Sequence, residues 1–322
     1  MADHQTFAGI DIGGTNIKYG LTDLKGQVLF KEQRPTMAEK GPEPLLHLIG
    51  NIGERLLLHA SEEELDVRWL GVGTPGTVDF KDGRITGMTP NIVGWKGTAI
   101  GDFLRERLNV PVWVDNDVNA VALAEHRFGA GAGFSSLVCV AVGTGVGGGI
   151  IVNNKLWRGA NFAAGELGHM SIDPNGPACG CGNKGCVEAY CSSSAILVRC
   201  RERLKRELTP AFEEVLSGDL EELTIKKLFQ AARHKDEIAL EVIAETARYL
   251  AIGLAGVVNL LNPEMVIVGG GVADGGAGFV ETVAQELRPR VCDTAAEKLR
   301  IVKASLGNNA GFIGAGILGE ER

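Results

Sequence analysis

Two stretches of this chain follow the same short plan. FAGIDIGGTNIKYGL (7–21) runs an apolar segment into a glycine turn and out into a second apolar segment, and LVCVAVGTGVGGGIIV (137–152) does the same. Superposing Gly13 on Gly143 sets Ile10 against Val140 and Ile12 against Val142. An apolar run that stops at glycine and resumes within a few residues reads as two strands joined by a tight turn. A repeat of that unit later in the chain predicts two similar halves, each offering a glycine turn at a strand end.

The rest of the chain fills in around these hairpins. A third strand is expected after Lys25-Gly26, a helix over 44–60, and a buried strand over 69–79 with a Thr74-Pro75-Gly76 turn. A strand over 110–117 runs into a helix over 119–129. A long helical region covers 187–255 with a break near Thr209-Pro210, then a buried strand at 265–272 and a small-residue helix at 309–318. Strands alternating with helices predict two α/β domains facing across a cleft. At 322 residues the chain is long enough for this, and its 45 glycines, about twice the usual ~7% share, sit where apolar runs end.

Charge and hydropathy narrow the function classes. A net charge of −8 with no basic block argues against nucleic acid as a partner. It does not argue against anionic ligands, because backbone N–H groups in glycine turns can hold phosphates. The apolar stretch at 257–272 is broken by Asn262, Pro263 and Glu264, so no segment is expected to span a membrane. Nothing at the start reads as a signal peptide, and a cytoplasmic protein is expected.

The most specific local pattern is GHMSIDPNGPACGCGNKGCVEAY (168–190), which places Cys179, Cys181 and Cys186 in one glycine-rich loop with His169 upstream. Three thiolates and an imidazole make a closed tetrahedral ligand set, so a structural zinc ion is expected there. The competing reading is a disulfide or free buried thiols; a disulfide is disfavoured in a reducing compartment and leaves one cysteine over. Cys139, Cys191, Cys200 and Cys292 show no ligand spacing and read as small buried apolar residues.

In GIDIGGTNIKYG (9–20), Asp11 ends a strand, Gly13 and Gly14 make the turn, and Thr15 and Lys18 follow. This is not a P-loop. Alone it is just a hairpin; together with Gly143, Thr144 and Gly145 in the second hairpin and Gly269, Gly270 and Gly271 after a third strand, it suggests a phosphate cradle, with Asp11 placed to hold Mg²⁺ through water. In VDNDVNA (114–120), Asp117 either caps the following helix or accepts a proton from a hydroxyl, and Asp115 or Asn116 could also cap. Glu166 and Glu188 flank the cysteine loop, either as solvated carboxylates or as partners for neighbouring sugar hydroxyls.

Together DIGGTNIK, GTPG, PNIVGW (90–95), DNDVNA, GTGVGGG, GELGH, CGCGNKGC followed by VE, and LNPEMVIVGGG resemble the ROK family of repressors and sugar kinases, over about 7–318. The closest look is to its bacterial glucokinases. The resemblance implies an actin-like/hexokinase-like ATPase fold, with an N-terminal domain over 1–118 completed by a C-terminal helix over 305–322, and a second domain over 119–304 holding the zinc loop 169–186. It implies ATP with Mg²⁺ as phosphoryl donor and the 6-hydroxyl of glucose or a related hexose as acceptor. Asp117 is then the base, and Asn91, Asn116, Asp117, Glu166, His169 and Glu188 match sugar-binding positions. His169 would serve both metal and sugar. Asp11, Gly13, Gly14, Thr15, Lys18, Gly143, Thr144, Gly145 and Gly269 to Gly271 fall at the nucleotide. A homodimer is expected. Asn309 departs from the pattern, since relatives often carry Asp there. Kinases of N-acetylmannosamine, N-acetylglucosamine or fructose are the nearest alternatives, followed by a sugar-responsive repressor and an actin-like ATPase switch.

Overall fold

A computed structural model describes residues 5–87, 89, 92–276 and 278–321. Among the described residues, twelve strands form two five-stranded sheets and one small pair. In chain order they are β1 (Gln5–Ile12), β2 (Asn16–Asp23), β3 (Val28–Pro35), β4 (Asp66–Thr74), β5 (Val78–Asp79), β6 (Arg84–Ile85), β7 (Val112–Asn116), β8 (Leu137–Val142), β9 (Val146–Val152), β10 (Lys155–Leu156), β11 (Met265–Gly269) and β12 (Arg300–Lys303). The first sheet runs β3-β2-β1-β4-β7 and the second β10-β9-β8-β11-β12. The two orders match position by position, so the repeat seen at Gly13 and Gly143 extends to whole sheets. In each, a hairpin partner lies on one side of the leading strand. A strand reached by crossover lies on the other; β4 pairs in parallel with β1.

The chain divides into two compact units: Met1–Cys139 with Gly149–Gly165 and Ser305–Arg322, and Val140–Gly148 with Glu166–Ala304. The first therefore takes in residues 119–139 and 149–165 as well as the N-terminal sheet. Its core contains Ile10, Ile12, Ile17, Tyr19, Val72 and Val114 from the strands, with Ile49, Ile52 and Leu56 from the helix Pro42–Glu62. Alternate strand residues and every third or fourth helix residue point into this core, which is what the two periodicities require. The helix Ala310–Gly316 lies against β1 and β4 so closely that a Cβ at Gly9 or Gly71 would sit 1.8 or 1.7 Å from its carbonyl oxygens.

Two expectations change in detail. The strand expected over 69–79 ends at Thr74, because Pro75 has no N–H and Gly76 turns at φ 95°; Val78–Asp79 pairs separately with Arg84–Ile85. The helical region breaks more often than at Pro210, into Val187–Cys191, Ser193–Leu204, Pro210–Leu216, Ile225–Arg233 and Glu237–Leu261. Ser192, Thr209, Thr224 and Asp236 each accept a backbone N–H at the start of the next helix, so each restarts it at a defined residue. The last of these helices stops at Asn262, in the left-handed region at φ 46°, with Pro263 behind it. β12 carries no strand signature in its sequence, being four residues with charges at both ends. Among the described residues no helix is long and apolar enough to cross a membrane.

Candidate active site

In the first unit, the carboxylates of interest sit at the ends of β1 and β7. The register of β1 and β2 pairs Asp11 with Lys18, and Gly13 N–H closes the turn on Asn16 O at 3.0 Å. Thr36 ties the turn down, its hydroxyl donating to Gly13 O at 2.6 Å. Gly14 and Thr15 stay exposed. Gly311 passes directly over Asp11; a Cβ there would lie 2.3 Å from Asp11 Oδ2. Burial, then the nearby Asp117 carboxylate, push the Asp11 pKa from 3.8 up to about 7, with Lys18 pulling the other way. Lys18 Nζ also donates to Asn308 Oδ1 at 3.1 Å.

Asn116 caps the helix Asp117–Phe128, its side-chain oxygen accepting from Val118 N–H at 2.8 Å and Asn119 N–H at 3.2 Å, while its amide donates to Gly76 O at 3.1 Å. Asp115 is buried and structural: it accepts from Asn119 Nδ2 at 2.9 Å and from Arg158 Nε at 2.7 Å. Arg158 also stacks over Phe80, 3.8 Å from the ring centroid. Asp117 is half-buried, and its Oδ1 accepts from Val118 N–H at 2.9 Å, which fixes the carboxylate at a helix start. Arg158 carries no sequence signal; only the fold brings it to Asp115. Asn91 lies outside the described residues; nearby, Trp95 is fully buried and donates to Thr74 Oγ1 at 2.9 Å.

In the second unit, His169 Nδ1 lies 3.6 Å from Cys179 Sγ, and the Cys181 and Cys186 sulfurs are 3.8 Å apart. The four ligand atoms lie within 4.8 Å of one another. Thiolates about 2.3 Å from a common metal at tetrahedral angles stand about 3.8 Å apart, so the set could hold an ion almost as it is. The loop is folded to do this: Ser171 bridges to Cys186 and Ala178 to Lys184, and at Gly185 (φ 65°) a Cβ would meet Asp173 O at 1.7 Å. Tyr190 stacks on Tyr249 and donates to Asp173 Oδ2 at 3.2 Å, bracing the loop from below. The other imidazole nitrogen, Nε2, is 3.9 Å from Glu166 Oε2.

Glu188 joins this loop to the second glycine turn. Its Oε2 accepts from Val146 N–H at 2.9 Å, and Oε1 lies 4.0 Å from Cys179 Sγ. A Cβ at Gly145 would meet Glu188 Oε2 at 2.6 Å, whereas one at Gly143 would meet nothing within 4 Å. The Glu188 carboxylate thus occupies the space beside Gly145 that a side chain would take, and Gly143 leaves open space beside the turn. Ser193 fixes the turn from behind, its N–H and hydroxyl both donating to Gly143 O, at 2.8 and 2.9 Å. Thr144 is exposed at the tip. Gly269 ends β11, and Gly270, at φ 89°, packs on the Val142 backbone; a Cβ there would meet Val142 O at 2.4 Å.

Comparison with known proteins places residues 7–322 in a match to the ROK family. A glucokinase of Thermotoga maritima is 34% identical over 314 residues, covering 98% of this chain and 97% of the other. A xylose repressor of Caldicellulosiruptor bescii is 31% identical over 312 residues, 97% of this chain and 77% of the repressor. Among solved structures, a ROK family glucokinase from Streptomyces griseus in complex with glucose and AMPPNP superposes with a TM-score of 0.85 at 35% identity, over 97% of this chain and 98% of that one.

Proposed function

The chain belongs to the ROK family and has its actin-like/hexokinase-like α/β fold, and from these premises we propose that it is an ATP-dependent glucokinase, transferring the γ-phosphoryl group to the 6-hydroxyl of glucose. The observation that carries the reading is likeness along nearly the whole of both chains to proteins named glucokinase, one of them holding glucose and an ATP analogue. The glucose 6-oxygen attacks the γ-phosphorus while the bond from that phosphorus to the bridging oxygen breaks. Asp117 takes the hydroxyl proton, and the products are glucose 6-phosphate and ADP. A carboxylate held at a helix start by Val118 N–H suits this role, since its orientation is set before substrate arrives.

Gly13, Gly14, Thr15 and Lys18, with Gly143, Thr144 and Gly145, seat the phosphates, and Gly269 to Gly271 border the nucleotide. Mg²⁺ entering with ATP supplies charge neutralisation, and Asp11 would hold it through water; a cation there favours the ionised carboxylate that burial opposes. Asn91, Asn116, Glu166, His169 and Glu188 hold the sugar hydroxyls. His169, Cys179, Cys181 and Cys186 would hold a structural Zn²⁺; three thiolates and an imidazole complete a tetrahedral set, so the ion would shape the loop and leave the chemistry to other residues. The expected domains divide this labour: 1–118 with 305–322 carries the two aspartates, and 119–304 carries the metal loop and the second and third glycine turns. The protein works in the cytoplasm as a homodimer, without nucleic acid.

The test is ADP release from ATP with glucose, mannose, fructose, N-acetylglucosamine and N-acetylmannosamine in turn. Glucose should give the highest kcat/KM. A preference for an acetamido sugar, or no sugar-dependent ADP, would overturn the assignment.

A further inference from the structure

Glu125 is fully buried in the helix Asp117–Phe128, and no ion pair reaches it among the described residues. A buried carboxylate without a cation is costly unless donors surround it. Here all but one of its hydrogen bonds go to a single remote segment. Oε1 accepts from Ser305 N–H at 2.9 Å and Leu306 N–H at 2.8 Å; Oε2 accepts from Ser305 N–H and Ser305 Oγ, both at 3.1 Å, and from Ala130 N–H at 2.9 Å. Gly129 leaves room for this, since a Cβ there would meet Oε2 at 2.2 Å. Ser305 is the residue at which the chain re-enters the first unit.

The residues just beyond Ser305 reach the phosphate turn. Asn308, three residues on, accepts from Lys18 Nζ, and Gly311 lies against Asp11. Anchoring the start of the segment thus sets where Asn308 and Gly311 fall. We propose that Glu125 is a positioning residue for phosphoryl transfer, acting through segment 305–311 to hold Lys18 and to seat the C-terminal helix on the Asp11 carboxylate. This rests on the kinase reading above. Glu125 itself is fully buried, so it acts through its backbone partners and presents no surface to a ligand.

The test measures steady-state kinetics and thermal unfolding for the full chain, Glu125→Gln, Asn308→Ala and the double variant, well below the unfolding temperature. A glutamine turns an N–H₂ toward backbone donors, so Glu125→Gln should raise KM for ATP about tenfold with KM for glucose within about twofold. Asn308→Ala, at an exposed side chain, should raise KM for ATP about threefold with unfolding unchanged. The double variant should be no worse than Glu125→Gln alone, because the relay is already lost. Unchanged ATP kinetics in Asn308→Ala, additive effects, or both KM values rising together would overturn the role, and Asn308→Ala decides alone if Glu125→Gln does not fold. An unmodified chain without ATP-dependent glucose phosphorylation sinks the parent reading too; an active one with normal Asn308→Ala kinetics sinks this inference only.

Discussion

Asp117 and Asp11 share a neighbourhood but face opposite demands. Asp117 is held by Val118 N–H and freed from capping by Asn116, so its carboxylate is oriented at little cost to the helix. Replacing it with Asn keeps the shape and removes the proposed proton acceptor. Turnover measured by ADP release should fall about 10²–10⁴-fold with KM for glucose little changed, and near-normal turnover would remove it as base. Asp11, with a pKa near 7, holds a proton between about pH 4 and 7 that the unfolded chain has released. Native stability from this group therefore falls as pH rises through that window, and the cost is complete above it. Without nucleotide or added magnesium, Asp11→Asn should stabilise the protein at pH 8 by on the order of 1–3 kcal/mol, with the difference closing by pH 4. A variant that unfolds in parallel with the parent across pH 4–8 would show that Asp11 is not strained.

At the scale of elements, the cysteine loop is a short chain with almost no apolar interior, held by backbone bridges and Tyr190, and it brings His169, Cys179, Cys181 and Cys186 together. Its neighbour Glu188 extends that order to Val146 in the second glycine turn. Cys181 is the exposed member of the set, so its change to Ser disturbs the core least. We expect Cys181→Ser to lack the zinc proposed for the parent chain, as read by elemental analysis of both purified proteins, and to open 170–186 to protease. Retention of one metal ion per chain with an intact loop would show that the sulfur is not a ligand. In the long helical region, four capping side chains, each satisfying an orphan N–H group, set where it is cut.

Across the whole first unit, the C-terminal helix closes a structure begun at the other end of the chain. Gly9 and Gly71 exist for that contact, because the helix backbone occupies the space a side chain would take. The helix Asp117–Phe128 packs there as well; a Cβ at Gly314 would lie 1.7 Å from Ala120 O. This explains why residues 119–139 join the first unit although they come after the expected boundary at 118. Gly71→Ala forces two backbones apart and should destabilise by about 3 kcal/mol or more, seen in denaturant unfolding. An unchanged midpoint would mean the helix does not sit where this packing puts it.

Local pattern alone determined the hairpins at Gly13 and Gly143, their repetition, and the ligand spacing of Cys179, Cys181 and Cys186, because these depend on residues close together in the chain. It also carried Asp11 and Asp117 as strand-end carboxylates. Tertiary structure decided which of Asp115, Asn116 and Asp117 caps the helix. It paired Asp115 with Arg158, put Glu188 on the Val146 amide, and raised the Asp11 pKa. It also gathered Ser305 and Leu306 onto Glu125. Those outcomes depend on burial and on partners up to 181 positions away, and a carboxylate's charge, orientation and cost are set by whatever the fold places within a few ångströms of it.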